Sequence, residues 1–225
     1  MNDVSEIDLY QKGSWSCSYV VHPVLHPPSL SQFKRILEEV KGTETGWPPW
    51  LSLENRPGME MKINDGLIEC WLKDTADADF WRADPKGFMF LIRRLQEDTD
   101  FPNVEPRTLF DLTLPVWRTG ECMLHAVRLA GKLNAEHLDL TMAWEGLAGR
   151  ELRALASPNR MLFQGRRSTD DSVSTSISTP IATVLDALPD LVKKLLDPLY
   201  ARFGFYEPAD ELYATELHRM RTRSL

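Results

Sequence analysis

The chain has no GxxxxGK[ST] phosphate loop, no GxGxxG, no HExxH, no GxSxG elbow and no CxxC pair. ATP-driven, nicotinamide-dependent and zinc-protease chemistry therefore lose their usual sequence signatures. Cysteine is scarce: Cys17, Cys70 and Cys122 are odd in number and far apart. That spacing excludes a disulfide framework and fits a reducing compartment. No apolar run approaches the ~18 residues of a membrane-spanning helix, and MNDVSEIDLY carries acids where a signal peptide carries lysines. The sequence thus predicts a cytoplasmic protein with no membrane partner. Positive charge is in deficit as well. A net charge of −7 opposes broad attraction to nucleic acid.

Tryptophan is present, and it stands among acids and arginines: GWPPW at 46–50, IECWL at 68–72, DFWRADPKGFMFLIRRL at 79–95. Such side chains build a core or a pocket, and a buried indole N–H needs a partner. Read as a pocket, Trp71, Trp81 and Arg82 form the wall, with Trp47 and Trp50 as a lid. A ring beside a guanidinium can stack a flat ligand, and Glu69 or Asp79 can read its donors. Read as a core, the tryptophans pack inward and the charges pair at the surface. Strand alternation favours a split, with Trp71 and Glu69 on one face and Asp79 and Trp81 on another.

At 225 residues the chain can hold one large core, and no Gly/Ser linker divides it. Trp15, Cys17, Tyr19 and Val21 alternate as in a half-buried strand over 14–21. The prolines of HPVLHPP end it, and Ser29 or Ser31 caps a helix to about Lys41. MEMKI and LIECWL meet at Asn64-Asp65-Gly66; DFWRA and GFMFLIRRL meet at Asp84-Pro85-Lys86-Gly87. Residues 59–95 read as an antiparallel meander of up to four strands. Asp111 is placed to cap a long helix over about 112–133, with Pro115 in its first turn. HLDLTMAWEG and RELRALAS read as a hairpin around Leu147-Ala148-Gly149. The run 172–183 reads as an edge strand, because Pro180 cannot donate to a ladder. Two C-terminal helices follow, one near 190–203 that Asp197-Pro198 kinks or divides, and one in 206–225 with a basic tail. The pattern is α+β: antiparallel meander strands packed by a long central helix and C-terminal helices.

Four other groups could carry chemistry. Glu121, Cys122 and His125 sit together on the long helix, and Glu121 and His125 could pair as acid and base in a hydrolase. The commoner arrangement is a surface ion pair beside a core cysteine. Asp74, Asp77 and Asp79, with Glu97, Asp98 and Asp100, could gather a divalent cation as nucleases do, but no matching lysine pattern accompanies them. His22 and His26 precede prolines, so their i, i+4 spacing is not helical and implies no metal site. Arg150, Arg153, Arg166 and Arg167, against the single acid Glu151, could meet phosphate in a nucleic-acid accessory protein; a solvated hairpin face is the plainer reading.

The order TGWPPW, DGLIECWL, DFWRADPKGFMFLIRRLQED, LFDLTLPVWRTGECMLHAVRLAGKL, LTMAWEGLAGRELRAL resembles the C-terminal module of bacterial regulators whose N-terminal half is a Schlafen-type, AlbA-like DNA-binding domain. The resemblance spans roughly residues 30–205 and rests on block order and aromatic placement. With about 13 residues before the first strand, the DNA-binding half has no counterpart in this sequence. The resemblance implies a regulatory or sensory module acting through a small ligand or a protein partner. No cofactor or metal is implied. Open strand edges at 14–21, 137–144 and 172–183 would allow a homodimer.

Overall fold

The computed structural model describes residues 13–42, 44–46, 48–50, 59–73, 78–101, 103–157, 160, 162 and 165–222. Among them nine strands and five helices follow in the order β1 (Ser14–His22), α1 (Leu30–Val40), β2 (Met59–Asn64), β3 (Leu67–Lys73), β4 (Ala78–Ala83), β5 (Phe88–Arg94), β6 (Leu109–Asp111), α2 (Leu114–Leu133), β7 (His137–Glu145), β8 (Glu151–Arg153), β9 (Ser172–Pro180), α3 (Ile181–Val184), α4 (Leu188–Ala201) and α5 (Asp210–Thr222). The fold is α+β, as the segregated pattern predicts. One seven-stranded sheet runs β2-β3-β4-β5-β1-β7-β9, every neighbour antiparallel, while β6 and β8 form a small parallel pair.

The meander of 59–95 is the β2–β5 half of the sheet. Its first turn works because Asp65 and Gly66 both take positive φ, the hairpin geometry that Asp-Gly favours. In its last turn the Gly87 N–H donates to Asp84 O at 2.9 Å, and Asp84 Oδ1 accepts from the Lys86 N–H. Gly87 has φ +98°, and a Cβ there would lie 2.3 Å from the carbonyl oxygen of Val21. Gly87→Ala should therefore cost at least about 1–3 kcal/mol, read as a lower denaturant midpoint at unchanged slope.

Alternation decides what each face of the sheet carries. Trp15, Cys17, Tyr19 and Val21 of β1, Met89 and Leu91 of β5, and Leu138, Leu140, Met142 and Trp144 of β7 all point inward and are buried. The helices pack on that side: α2 crosses β1 and β7, α4 lies on β9, and α1 lies on β3. Asp111 fixes the start of α2. Its Oδ1 accepts from the N–H groups of Thr113 and Leu114, and its Oδ2 from Leu155 and Ala156. One buried carboxylate thus holds the helix entrance and the chain leaving β8.

Three sequence expectations need correction. HLDLTMAWEG and RELRALAS do not form a hairpin: β7 pairs with β1 and β9, and β8 leaves the sheet to run beside β6. The cause is local, since Gly146 and Gly149 turn sharply with positive φ and Arg150 then buries its side chain. The strands at 14–21 and 137–144 are interior, so of the three proposed open edges only β9 lies at the rim. Pro198 does not divide α4; it sits inside the last turn, which runs to Ala201.

Candidate functional site

Positions of opposite parity on the same strands build the outer face, away from the helices. Register places Glu69 opposite Arg82, Trp71 opposite Phe80, and Arg82 opposite Phe90. Directly opposed residues share a face, so these five side chains form one patch. Trp71 and Phe80 have ring centroids 4.3 Å apart, and Phe80 and Phe90 are 6.2 Å apart. The Arg82 guanidinium stands 5.7 Å from the Phe80 centroid while its Nε donates to Glu69 Oε1 at 2.7 Å. The three rings are half-buried, each covered by its neighbours but open outward. Across β7 and β9 the same face turns polar, with Ser172, Ser174, Ser176 and Ser178 all exposed. The patch is therefore the apolar half of an otherwise polar surface.

The residues proposed as one pocket do not converge. Trp71 and Arg82 meet in this patch. Trp81 is 2% exposed and points the other way, beside Cys70 on the inner face. Trp50 is equally buried: its ring stacks on His125 at 4.6 Å, lies edge-on to Tyr19 at 5.2 Å, and donates its N–H to Phe90 O. It is a core residue and not a lid. Trp47 lies outside the described residues. Phe80 and Phe90 were missed, although both share Trp71's parity across the meander.

Glu121 and His125 do not form a pair. Glu121 is fully buried and is held by Arg118 Nη1 at 2.7 Å and by the Thr45 hydroxyl at 2.5 Å. His125 Nδ1 bonds the Tyr19 hydroxyl at 2.7 Å, and its Nε2 has no hydrogen-bond partner among the described residues. Burial holds this imidazole down at about 3, with the Arg128 cation adding to the effect. It stays neutral and enclosed. Cys122 is buried against Cys17, whose thiol burial pushes well above its ordinary range, the opposite of an activated nucleophile. The surface ion pair expected at Glu121 is instead an interior one.

The acids separate as well. Asp79 is buried and accepts from Arg93 Nε at 2.8 Å. Glu97 is buried and accepts from the Asp111 N–H at 2.6 Å. Asp98 grips Arg150, and Asp74 and Asp77 lie outside the described residues. Among the described residues no group of three or more His, Cys, Asp or Glu is placed to hold a metal ion. No described helix is long and apolar enough to cross a membrane.

The arginine run is not one solvated face. Arg150 is completely buried, giving both Nη atoms to Asp98 at 2.7 and 2.6 Å. Arg153 and Arg167 both pair with Glu151. Arg166 donates to Gly204 O and lies over the Phe205 ring at 5.0 Å. What sequence placed in one phosphate-binding set is divided between a buried ion pair and local turn contacts. Comparison of the chain with protein-family models, with curated proteins and with solved structures gives no match.

Proposed function

We propose that this chain is a non-enzymatic regulatory binding domain that docks a partner protein on the aromatic half of its open sheet face. The observation that carries the reading is the Trp71–Phe80–Phe90 row, with Arg82 laid over it, on the side of the sheet that no described helix covers. Trp and Arg are the side chains most enriched among residues that dominate protein–protein affinity. Arg82 and Glu69 already neutralise one another, so the patch offers no net charge to a phosphate or a bare cation. The block order shared with the regulator-associated module supports the same reading. So does the burial of Glu121 and His125, which keeps that acid and base from any substrate.

Affinity capture from an extract of the producing cells tests it, using wild type, Trp71→Ala and Arg82→Glu with matched thermal melting. A partner enriched on wild type should fall about tenfold or more on Trp71→Ala, the scale of a central interface residue. Equal recovery on all three proteins would remove the patch from the account.

A further inference from the structure

At one rim of the sheet β9 has β7 as its only neighbour among the described strands. The ladder between the two is matched residue for residue from Ser172 to Pro180, with no bulge. Just beyond it the Ile181 N–H donates to Glu136 O at 2.7 Å, which makes that opposed couple a hydrogen-bonded one. Bonded and unbonded couples alternate along an antiparallel ladder. Val173, Thr175, Ile177 and Thr179 therefore direct their backbone groups to β7. The N–H and C=O groups of Ser172, Ser174, Ser176 and Ser178 face the open rim. Pro180 belongs to this second set, so the donor it lacks is one that β7 does not use.

Sheets commonly guard such a rim with charge, proline or a bulge. The opposite rim is guarded, since β2 carries Glu60 and Lys62, both exposed. β9 has no charged side chain, and its one proline stands at the last position. Its sequence also matches itself about Thr175. An antiparallel second copy centred there sets Ser172 opposite Ser178 and Ser174 opposite Ser176, and each couple exchanges two N–H···O bonds. Pro180 then falls beyond the partner strand and interrupts nothing. On the inner face Val173 and Ile177, both buried, meet across the axis. Thr175 meets Thr175 in an unbonded couple, the kind whose side chains lie closer. Its Oγ1 is shut from solvent and has no hydrogen-bond partner among the described residues. A Thr–Thr hydrogen bond across the strands supplies one. We infer that β9 is a homodimer interface, where a second copy of this chain continues the seven-stranded sheet about a two-fold axis at Thr175. A two-fold interface requires a strand that complements itself, which is the property β9 has. The interface lies at the far side of the sheet from the Trp71 patch.

Sedimentation of the full chain over a range of concentrations should show a monomer–dimer equilibrium. Ser176→Pro removes a donor from the open rim and none from the β7 ladder. It should weaken the dimer at least about tenfold, because two bonds are lost per pair of chains. Thr175→Cys should cross-link to itself under diamide, since unbonded couples stand about 4.5 Å apart at Cα, within disulfide range. Ser176→Cys, one residue further on, should not, because it faces Ser174 of the other copy. The native Cys17, Cys70 and Cys122 are buried, so cross-linking reports the introduced thiol. Trp71→Ala should leave the dimer intact, which separates failure here from failure of the docking reading. A monomer at every concentration, equal cross-linking of Ser176→Cys and Thr175→Cys, or another protein's extended segment found on the rim in place of the second copy would overturn the inference.

Discussion

Arg150→Ala should be the most damaging single substitution among the arginines, lowering unfolding free energy by about 3–5 kcal/mol, because it strands a buried carboxylate. Arg150 is completely buried, and Asp98 keeps 1% of its side chain exposed. The guanidinium also donates to Gly146 O and Leu109 O, while Asp98 Oδ1 accepts the Arg107 N–H. One ion pair therefore ties the turn after β7 to the segment between β5 and β6 and to the first residue of β6. Losing that much from a total of about 5–15 kcal/mol leaves many domains barely folded. Arg150→Met with Asp98→Leu should be more stable than either truncation alone, since removing both charges removes the unpaired one. Urea unfolding of the four proteins measures this. A double variant no better than Arg150→Ala would mean that the backbone contacts, and not the charge pair, carry the effect.

Two buried groups should shape the pH profile in opposite senses. His125 has an ordinary value of 6.5 and is held at about 3 by burial. Below 6.5 the unfolded chain takes a proton that the folded one refuses, so stability is lost as pH falls from 6.5 towards 3. Burial, with the Asp111 carboxylate adding to it, pushes Glu97 from 4.5 up to about 7. Here the folded chain holds the extra proton, so stability is lost as pH rises from 4.5 to about 7. Between 4.5 and 6.5 the two slopes, each about 1.4 kcal/mol per pH unit at most, cancel. Wild type should vary less in that window than a variant that keeps only one of the two groups. Glu97→Gln should be more stable than wild type at pH 8 and lose stability steadily on acidification from 6.5. His125→Asn, which keeps an acceptor for the Tyr19 hydroxyl, should instead gain stability on going from pH 7 to 4.5. Parallel profiles for the three proteins would show that neither group titrates as its burial requires.

Much of the sheet could be read in advance because its signals are local. The alternation of Trp15, Cys17, Tyr19 and Val21 gave β1, Asp65-Gly66 gave the first hairpin, and Pro180 marked β9 as an edge. Asp111 does hold the start of the long helix, accepting from the N–H groups of Thr113 and Leu114, although the N-cap residue is Thr113. What escaped depends on pairing between distant segments. Nothing near residues 14–22 announces that β5 and β7 will flank them. Trp81 and Trp71 are close in sequence and look alike, yet register sends Trp81 into the core and leaves Trp71 with Arg82 outside. Parity counting across the two turns would have found Phe80 and Phe90. The burial of Arg150 had no local cue, because its partner Asp98 lies 52 residues away.

The interior position of β1 in the sheet also sets an order of events during synthesis. It is the first of the nine strands to be made, but its flanking partners are Phe88–Arg94 and His137–Glu145. At ~5–20 residues per second, the second flank is complete roughly 6–25 s after His22 has left the ribosome's catalytic centre. The β2–β5 meander can close on itself long before that. Until Leu133 has been made, the apolar side of β1, with Trp15, Cys17, Tyr19 and Val21, lacks α2, the helix that packs on it. The strand made earliest is thus enclosed late, and a nascent chain stalled between β5 and β7 would be the form most in need of a chaperone.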